Sequence, residues 1–368
     1  MYGYAGQLLR VDLDNNRFVN EKLHEETMRK YVGGTGLGVE ILYNEVPPEV
    51  ECNDPGNRMI FSSGPMAGTV ICGSGTFSVV TKGPMTNLAV ATQANGFFGA
   101  FLKFSGFDAV ILQGKANKLS YLDIHDETAE LRDATHLEGR DTFETEQLIR
   151  SELKCGKGQA SVYGIGPAGE NLVRFAGIVG DEGHVAAHGG VGAALGAKKI
   201  KAIAARRREK KIPIYDEKSL AKLSEDLFQA AKEFQGGSLH KWGTAGGFSN
   251  AALGGWLPVK NYTTNIFPEH ERLSGQYFRT HFEYRPKPCW ACRIHHCSTM
   301  RVTEGPYVGY EGEEPKYECI AAWGPQIGQT DPGAVLMLTN LTDRLGLDVN
   351  ESGWLVGWVT LVGVPYCE

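Results

Sequence analysis

From Gly6 to about Ala205, short apolar runs alternate with Gly, Asn and Asp, a punctuation that suits strands and turns and leaves little room for long helices. Leu9-Arg10-Val11-Asp12-Leu13 alternates apolar with polar side chains, and Asp14-Asn15-Asn16 turns the chain towards Phe18. A β-hairpin is therefore expected at the start. A second hairpin is read at residues 109–113 and 119–124, with 129–132 returning after His125-Asp126-Glu127-Thr128, and a short helix is expected over 144–153. The 47 glycines follow no three-residue period and 42% of the residues are hydrophobic, which excludes collagen-like and low-complexity chains.

At Arg206-Arg207-Arg208-Glu209-Lys210-Lys211-Ile212-Pro213 the composition shifts, and the basic string reads as a solvated linker. Beyond it Leu220, Leu223, Leu227, Ala231 and Phe234 recur at helical spacing until Gly236-Gly237. A later helix begins at Asp331-Pro332, an N-cap followed by proline at the first helical position, and stops at Gly346. The fold class expected is α+β, with a β-rich domain over 1–210 followed by the start of a helical domain over 211–368. A net charge of −6 suggests no nucleic-acid surface. No apolar run reaches the ~20 residues of a membrane-spanning helix, and Arg10 and Asp12 stand where a signal peptide would be apolar. A cytoplasmic chain with no membrane partner is expected.

Eight cysteines are too sparse for a disulfide scaffold, yet Cys289, Cys292 and Cys297 crowd into nine residues after Pro286 and Pro288. Three soft thiolates on one stiff loop suit zinc, with His295 or His296 as a fourth ligand, or an iron–sulfur cluster needing a fourth cysteine. Spacing alone leaves both open. Gly164-Ile165-Gly166-Pro167-Ala168-Gly169 matches the dinucleotide fingerprint literally. The residues after it read as another strand rather than the required helix, and Pro167 removes an amide, so a turn is expected instead. Further glycine loops stand at Gly33-Gly34-Thr35-Gly36-Leu37-Gly38, Gly73-Ser74-Gly75, Asn95-Gly96-Phe97-Phe98-Gly99 and Gly189-Gly190-Val191-Gly192. Each alone is a turn; as a set they could cradle a large polar cofactor through main-chain amides.

Together with Val79-Val80-Thr81-Lys82-Gly83-Pro84, Leu102-Lys103-Phe104-Ser105-Gly106-Phe107-Asp108-Ala109, Lys287-Pro288-Cys289-Trp290-Ala291-Cys292 and Asp343-Arg344-Leu345-Gly346-Leu347-Asp348, these segments resemble the tungsten-containing aldehyde ferredoxin oxidoreductase family in order and spacing up to about Asp348. The resemblance implies an N-terminal domain of two β-sheets under a tungsten (or molybdenum) bis-pterin, with helical domains closing over it. It implies a [4Fe–4S] cluster on Cys289, Cys292 and Cys297 and pterin binding by Asp343, Gly346, Leu347 and Asp348. Glu318 is implied as the active-site acid. Gln93, Asn95, Gly96 and Ala186 are implied near the pterins and a bridging Mg²⁺. The activity implied is oxidation of an aldehyde to a carboxylic acid, with ferredoxin as the electron acceptor.

Several positions depart from the family pattern. Thr76 and Val185 stand where the family has arginines, and Gln93 stands for an asparagine. Met337 and Asn340 replace a Glu-x-x-His pair, so the intersubunit metal of some members is expected to be absent. The third cysteine comes one residue late, so the loop bulges or a ligand is altered. A second D-x-x-G-L motif, a fourth cluster cysteine and an active-site histidine are not found after Asp348; Cys367 is a candidate fourth ligand outside the family pattern. The chain therefore reads as the N-terminal portion of such an enzyme, completed by a second polypeptide or a homodimer. The competing reading is an inactive remnant acting as a metal-binding or partner-binding module.

Overall fold

A computed structural model describes residues 1–209 and 211–363. The chain divides into two compact units. The first comprises residues 1–224 with 289–292 and 344–347, and the second comprises 225–288, 293–343 and 348 onwards.

The first unit is built on two six-stranded sheets. Strands β1 (Gln7–Asp12), β2 (Arg17–Lys22), β3 (Met59–Ser63), β4 (Phe77–Lys82), β5 (Ala89–Ala94) and β6 (Ala109–Gln113) form one in the order β2-β1-β6-β3-β4-β5. Strands β7 (Ser120–His125), β8 (Thr128–Asp133), β9 (Ala160–Gly164), β10 (Ile178–Gly180), β11 (His184–Ala186) and β12 (Ile200–Arg206) form the other in the order β11-β10-β9-β12-β7-β8. The β1–β2 hairpin is as expected from the sequence, with Val11 opposite Phe18.

The second hairpin is corrected in part: β6 runs parallel to β1 in the first sheet instead of pairing with β7, whereas the return after 125–128 is as expected, β7 pairing with β8 in the second. Local alternation cannot report which sheet a strand joins, because parallel pairing is a non-local choice.

Leu9, Phe61, Phe77, Val79 and Val110 of the first sheet and Leu122, Ile124, Tyr163 and Ile203 of the second belong to one buried core, with Phe98, Phe101 and Leu102 of the helix Phe98–Phe104. The opposite face of the first sheet, with Ile60, Val80 and Ile111, is covered by Leu37, Ile41 and Leu42 of the helix Gly34–Glu45. Tyr121, Val162 and Ala202 on the other sheet meet Ile149 and Leu153. Central strands thus bury both faces, which is why Met59–Ser63 reads as a continuous run.

The basic string is not a free linker. Arg206 pairs with the buried Asp123, the Arg207 guanidinium lies 5.3 Å from the Trp290 ring, and Arg208 pairs with Asp126.

The fingerprint-like segment is also corrected. After β9 the chain makes one helical turn, Pro167–Glu170, and the next strand is only Ile178–Gly180. A Cβ on Gly166 would lie 2.4 Å from the Leu345 carbonyl oxygen, so that glycine is needed for backbone approach and not for a phosphate.

The second unit is helical as expected, with Glu217–Glu233 leading into it and Pro332–Leu345 and Val349–Val362 near its end. It also contains a small antiparallel sheet that the sequence did not announce: β13 (Glu283–Pro286), β14 (Ser298–Arg301) and β15 (Glu311–Glu313). The cysteine loop is the connection between β13 and β14. Among the described residues no helix is long and apolar enough to cross a membrane.

Candidate active site

Three of the glycine-bearing segments converge in the first unit. Gly33–Gly36, Gly64–Ala67, Ile71–Ser74 and Thr76–Ser78, together with Gln93, line one cavity of about 460 Å³. Short side chains there are held by one another: the Thr35 and Ser78 hydroxyls are 3.1 Å apart, and Gln93 Nε2 donates to Ser78 Oγ at 3.4 Å. Gln93 and Asn95 are two residues apart and both exposed, the spacing that puts side chains on one face of a strand. Thr76 Oγ1 donates to Asn95 Oδ1 at 2.8 Å. Neither the loop at 95–99 nor that at 189–192 is among the cavity's lining residues; Gly189 instead packs beside Val90. Ala186 is buried in β11 opposite Ile178 of β10.

Gly96 is the pivot of the loop that Thr76 joins to the cavity wall through Asn95. Its φ is +88°, and a Cβ would lie 2.5 Å from Tyr163 Oη and 2.6 Å from an Asp181 carboxylate oxygen, so only glycine fits. Three bonds fix the backbone around it. Tyr163 Oη donates to the Asn95 carbonyl (2.7 Å), the Phe97 amide donates to Asp181 Oδ2 (2.8 Å), and the Trp290 amide donates to the Gly96 carbonyl (3.1 Å).

Asp181 also accepts from Ser161 Oγ (2.8 Å) and Arg150 (3.2 Å), and Arg150 pairs with Glu146 at 2.5 Å. Two buried carboxylates thus share one guanidinium. Burial, with the Asp181 charge adding, pushes the Glu146 carboxyl up to about 8 in spite of Arg150. The folded chain therefore keeps this proton above the 4.5 at which an ordinary glutamate loses it. The contribution to stability is full below that value and is lost as pH rises towards about 8, by up to ~1.4 kcal/mol per pH unit. Urea midpoints between about pH 5 and about pH 8 will fall less steeply in Glu146→Gln than in the parent; parallel profiles would refute this assignment. None of Glu146, Arg150, Tyr163 and Asp181 is marked by a motif, and an acid before the Glu182-Gly183 turn was the only local cue.

Cys289, Cys292 and Cys297 are all buried. In the first unit, Cys289 and Cys292 are linked by a tight turn, with the Cys292 amide donating to the Cys289 carbonyl (3.1 Å) and Ala291 at φ +53°. Trp290 between them donates its ring N–H to Thr69 O (3.0 Å) and packs edge-on to Phe101 and Phe104. Cys289 Sγ is 3.7 Å from His184 Nε2. In the second unit the Cys297 carbonyl accepts from the Lys287 amide (2.9 Å), and Arg279 donates to the His296 carbonyl (3.1 Å). His295 has φ +53°, a left-handed kink in the stretch that carries the additional residue. Cys367 lies outside the described residues.

The remaining predicted residues lie along the later chain. Glu318 is exposed in the first turn of Tyr317–Trp323. Asp343 is buried in the last turn of Pro332–Leu345, and burial, then the Glu313 charge, holds its carboxyl well above the usual range against Lys316 and Lys287. Its surroundings favour the neutral acid. Glu313 pairs with Lys287 (2.9 Å) and Lys316 (2.5 Å), and Asn340 brackets its backbone by accepting from the amide and donating to the carbonyl. Asp348 caps Val349–Val362, accepting from the Asn350 and Glu351 amides. Gly346, at φ +74°, accepts from the Gly177 amide (2.8 Å), and Leu347 bridges to Ala176. A separate group, Asp123, His125 and Glu130, has metal-ligand proximity, but Arg206 and Arg132 already neutralise Asp123.

Comparison with known proteins matches residues 8–207 to the aldehyde ferredoxin oxidoreductase N-terminal domain and residues 220–362 to domains 2 and 3 of the same enzyme. Tungsten-containing aldehyde ferredoxin oxidoreductase of Pyrococcus furiosus is 38% identical over 355 residues, 96% of this chain and 58% of that one. An aliphatic sulfonate oxidoreductase WOR-like subunit of the same organism is 33% identical over 97% of this chain and 59% of its own length. The chain thus spans somewhat over half the length of these relatives. Among solved structures, the active site complex BamBC of benzoyl coenzyme A reductase, in complex with 1,5-dienoyl-CoA, superposes with a TM-score of 0.82 at 24% identity, covering 98% of this chain and 56% of that one, a likeness of fold.

Proposed function

The chain belongs to the aldehyde ferredoxin oxidoreductase family, and from that premise we propose that it takes part in oxidising an aldehyde to a carboxylic acid at a tungsten bis-pterin, with electrons leaving through a [4Fe–4S] cluster to ferredoxin. The observation that carries this reading is the glycine-walled cavity with Thr76, Ser78 and Gln93 at its wall, beside the Gly96 pivot. Short side chains and exposed main chain suit a large polar ligand. Three buried thiols on one loop suit a metal centre.

When bound, the tungsten centre supplies two-electron oxygen-transfer chemistry and the cluster supplies one-electron carriage. In this proposal Gln93, Asn95, Gly96 and Ala186 would hold the pterins and a bridging Mg²⁺. Asp343, Gly346, Leu347 and Asp348 would hold the second pterin, whose amino donors would draw the Asp343 carboxyl back towards ionisation. Cys289, Cys292 and Cys297 hold the cluster. The overall change, aldehyde plus water to acid plus two protons and two electrons, releases protons that need an acceptor, and Glu318 is assigned that role. The proposed domains are a pterin-binding region over 1–210 and a helical region over 211–368, working in the cytoplasm with ferredoxin and with a second polypeptide or a second copy.

Anaerobic purification followed by metal analysis and an aldehyde-dependent dye-reduction assay tests the whole reading. Brown protein with iron, tungsten and turnover is expected. Colourless protein with one zinc per chain would sink the cluster assignment, and neither metal nor turnover would favour an inactive, partner-binding chain.

A further inference from the structure

The contact between Cys289 and His184 lies outside every role assigned above. His184 opens β11, its Cα paired with Gly180 of β10, and the two strands are joined by Asp181, Glu182 and Gly183, all at positive φ. That turn is immobilised by Asp181, which holds the Phe97 amide and Arg150. The imidazole is thereby placed with Nε2 3.7 Å from Cys289 Sγ, both residues being under a tenth exposed. The neighbouring Trp290 fixes the backbone on the other side through the Gly96 carbonyl. Cys289 therefore has its main chain and its sulfur anchored to two ends of one rigid assembly.

We propose that His184 is a positioning residue that donates its Nε2–H to the Cys289 thiolate and so raises the reduction potential of the cluster held there. The inference rests on the cluster reading of the preceding subsection. A hydrogen bond to a ligand sulfur withdraws electron density from the cluster and stabilises its more negative, reduced state. Burial strengthens the effect, since no water competes for the sulfur. The separation is that of an N–H···S bond.

The test is an EPR-monitored redox titration of the anaerobically purified full chain, its His184→Gln variant and its His184→Met variant, with iron counted in each. All three are expected to hold the same iron. The methionine variant should titrate at a more negative potential, and the glutamine variant, which restores an N–H donor, should recover much of the shift. Pulsed EPR of the unaltered chain should also show an exchangeable proton coupled to the reduced cluster; this reading survives even if the methionine variant fails to fold. Full iron with an unmoved potential in His184→Met would overturn the proposal, as would the absence of that proton. Loss of the metal from both variants would overturn it too, because His184 would then be a ligand. An unaltered chain without iron would bring down the cluster reading itself, and this inference with it.

Discussion

On the cluster reading proposed above, Cys292→Ser leaves the anaerobically purified chain without iron and lowers aldehyde-dependent dye reduction by at least ~100-fold, a larger loss than the ~10–100-fold typical of disturbing a residue outside the ligand set. A serine hydroxyl is a hard, weakly acidic donor, while iron–sulfur clusters select soft thiolates. Cys292 is buried in a turn closed on the Cys289 carbonyl, which fixes the backbone that carries its thiol. Cys319→Ser is the matched control. Burial, with the Asp343 charge adding, pushes the Cys319 thiol up to about 12, so it remains a protonated thiol and a poor ligand. Iron content and visible absorbance should collapse in the first variant and persist in the second. Equal iron in both would remove Cys292 from the ligand set.

The largest stability effect is expected at Arg279. Its Nε and Nη2 each lie 2.7 Å from a different oxygen of Glu314, with both side chains 3% exposed, and the guanidinium also donates to the Lys241 and His296 carbonyls. Arg279→Met strands the Glu314 carboxylate in the interior, which costs about 3–5 kcal/mol. It also frees the His296 carbonyl next to Cys297. The double variant Arg279→Met with Glu314→Leu removes the stranded charge and should recover most of the loss. Urea unfolding of the three proteins measures both steps. A single variant within ~1 kcal/mol of the parent would mean that Glu314 finds water or another cation.

The elements that were legible in the sequence are those whose signal is local. The β1–β2 hairpin carries its own turn, and the helix Pro332–Leu345 carries its own cap, with Asp331 accepting from the Ala334 amide (2.9 Å). The cysteine spacing likewise marked the loop between β13 and β14. What the sequence hid is the pairing of distant pieces. Alternation at 109–113 and 119–124 was real, yet each strand joins a different sheet through a parallel partner more than fifty residues away in chain order. Arg206 and Arg207 looked like solvated linker residues because Asp123 and Trp290, their partners, lie far along the chain. Asp181 and His184 are single polar residues in a turn and a strand edge, and neither belongs to a pattern until the Gly96 backbone and Cys289 are beside them.

The make-up of the first unit has a consequence for biosynthesis. It draws on residues 289–292 and 344–347, which leave the ribosome well after residue 224. At roughly 5–20 residues per second the nascent first unit waits on the order of ten seconds for its last backbone segment. During that interval the Phe101 and Phe104 rings lack Trp290, and Gly166 lacks the Leu345 main chain that presses against it. An apolar face left open for that long is a surface on which chaperones, or aggregation, act first.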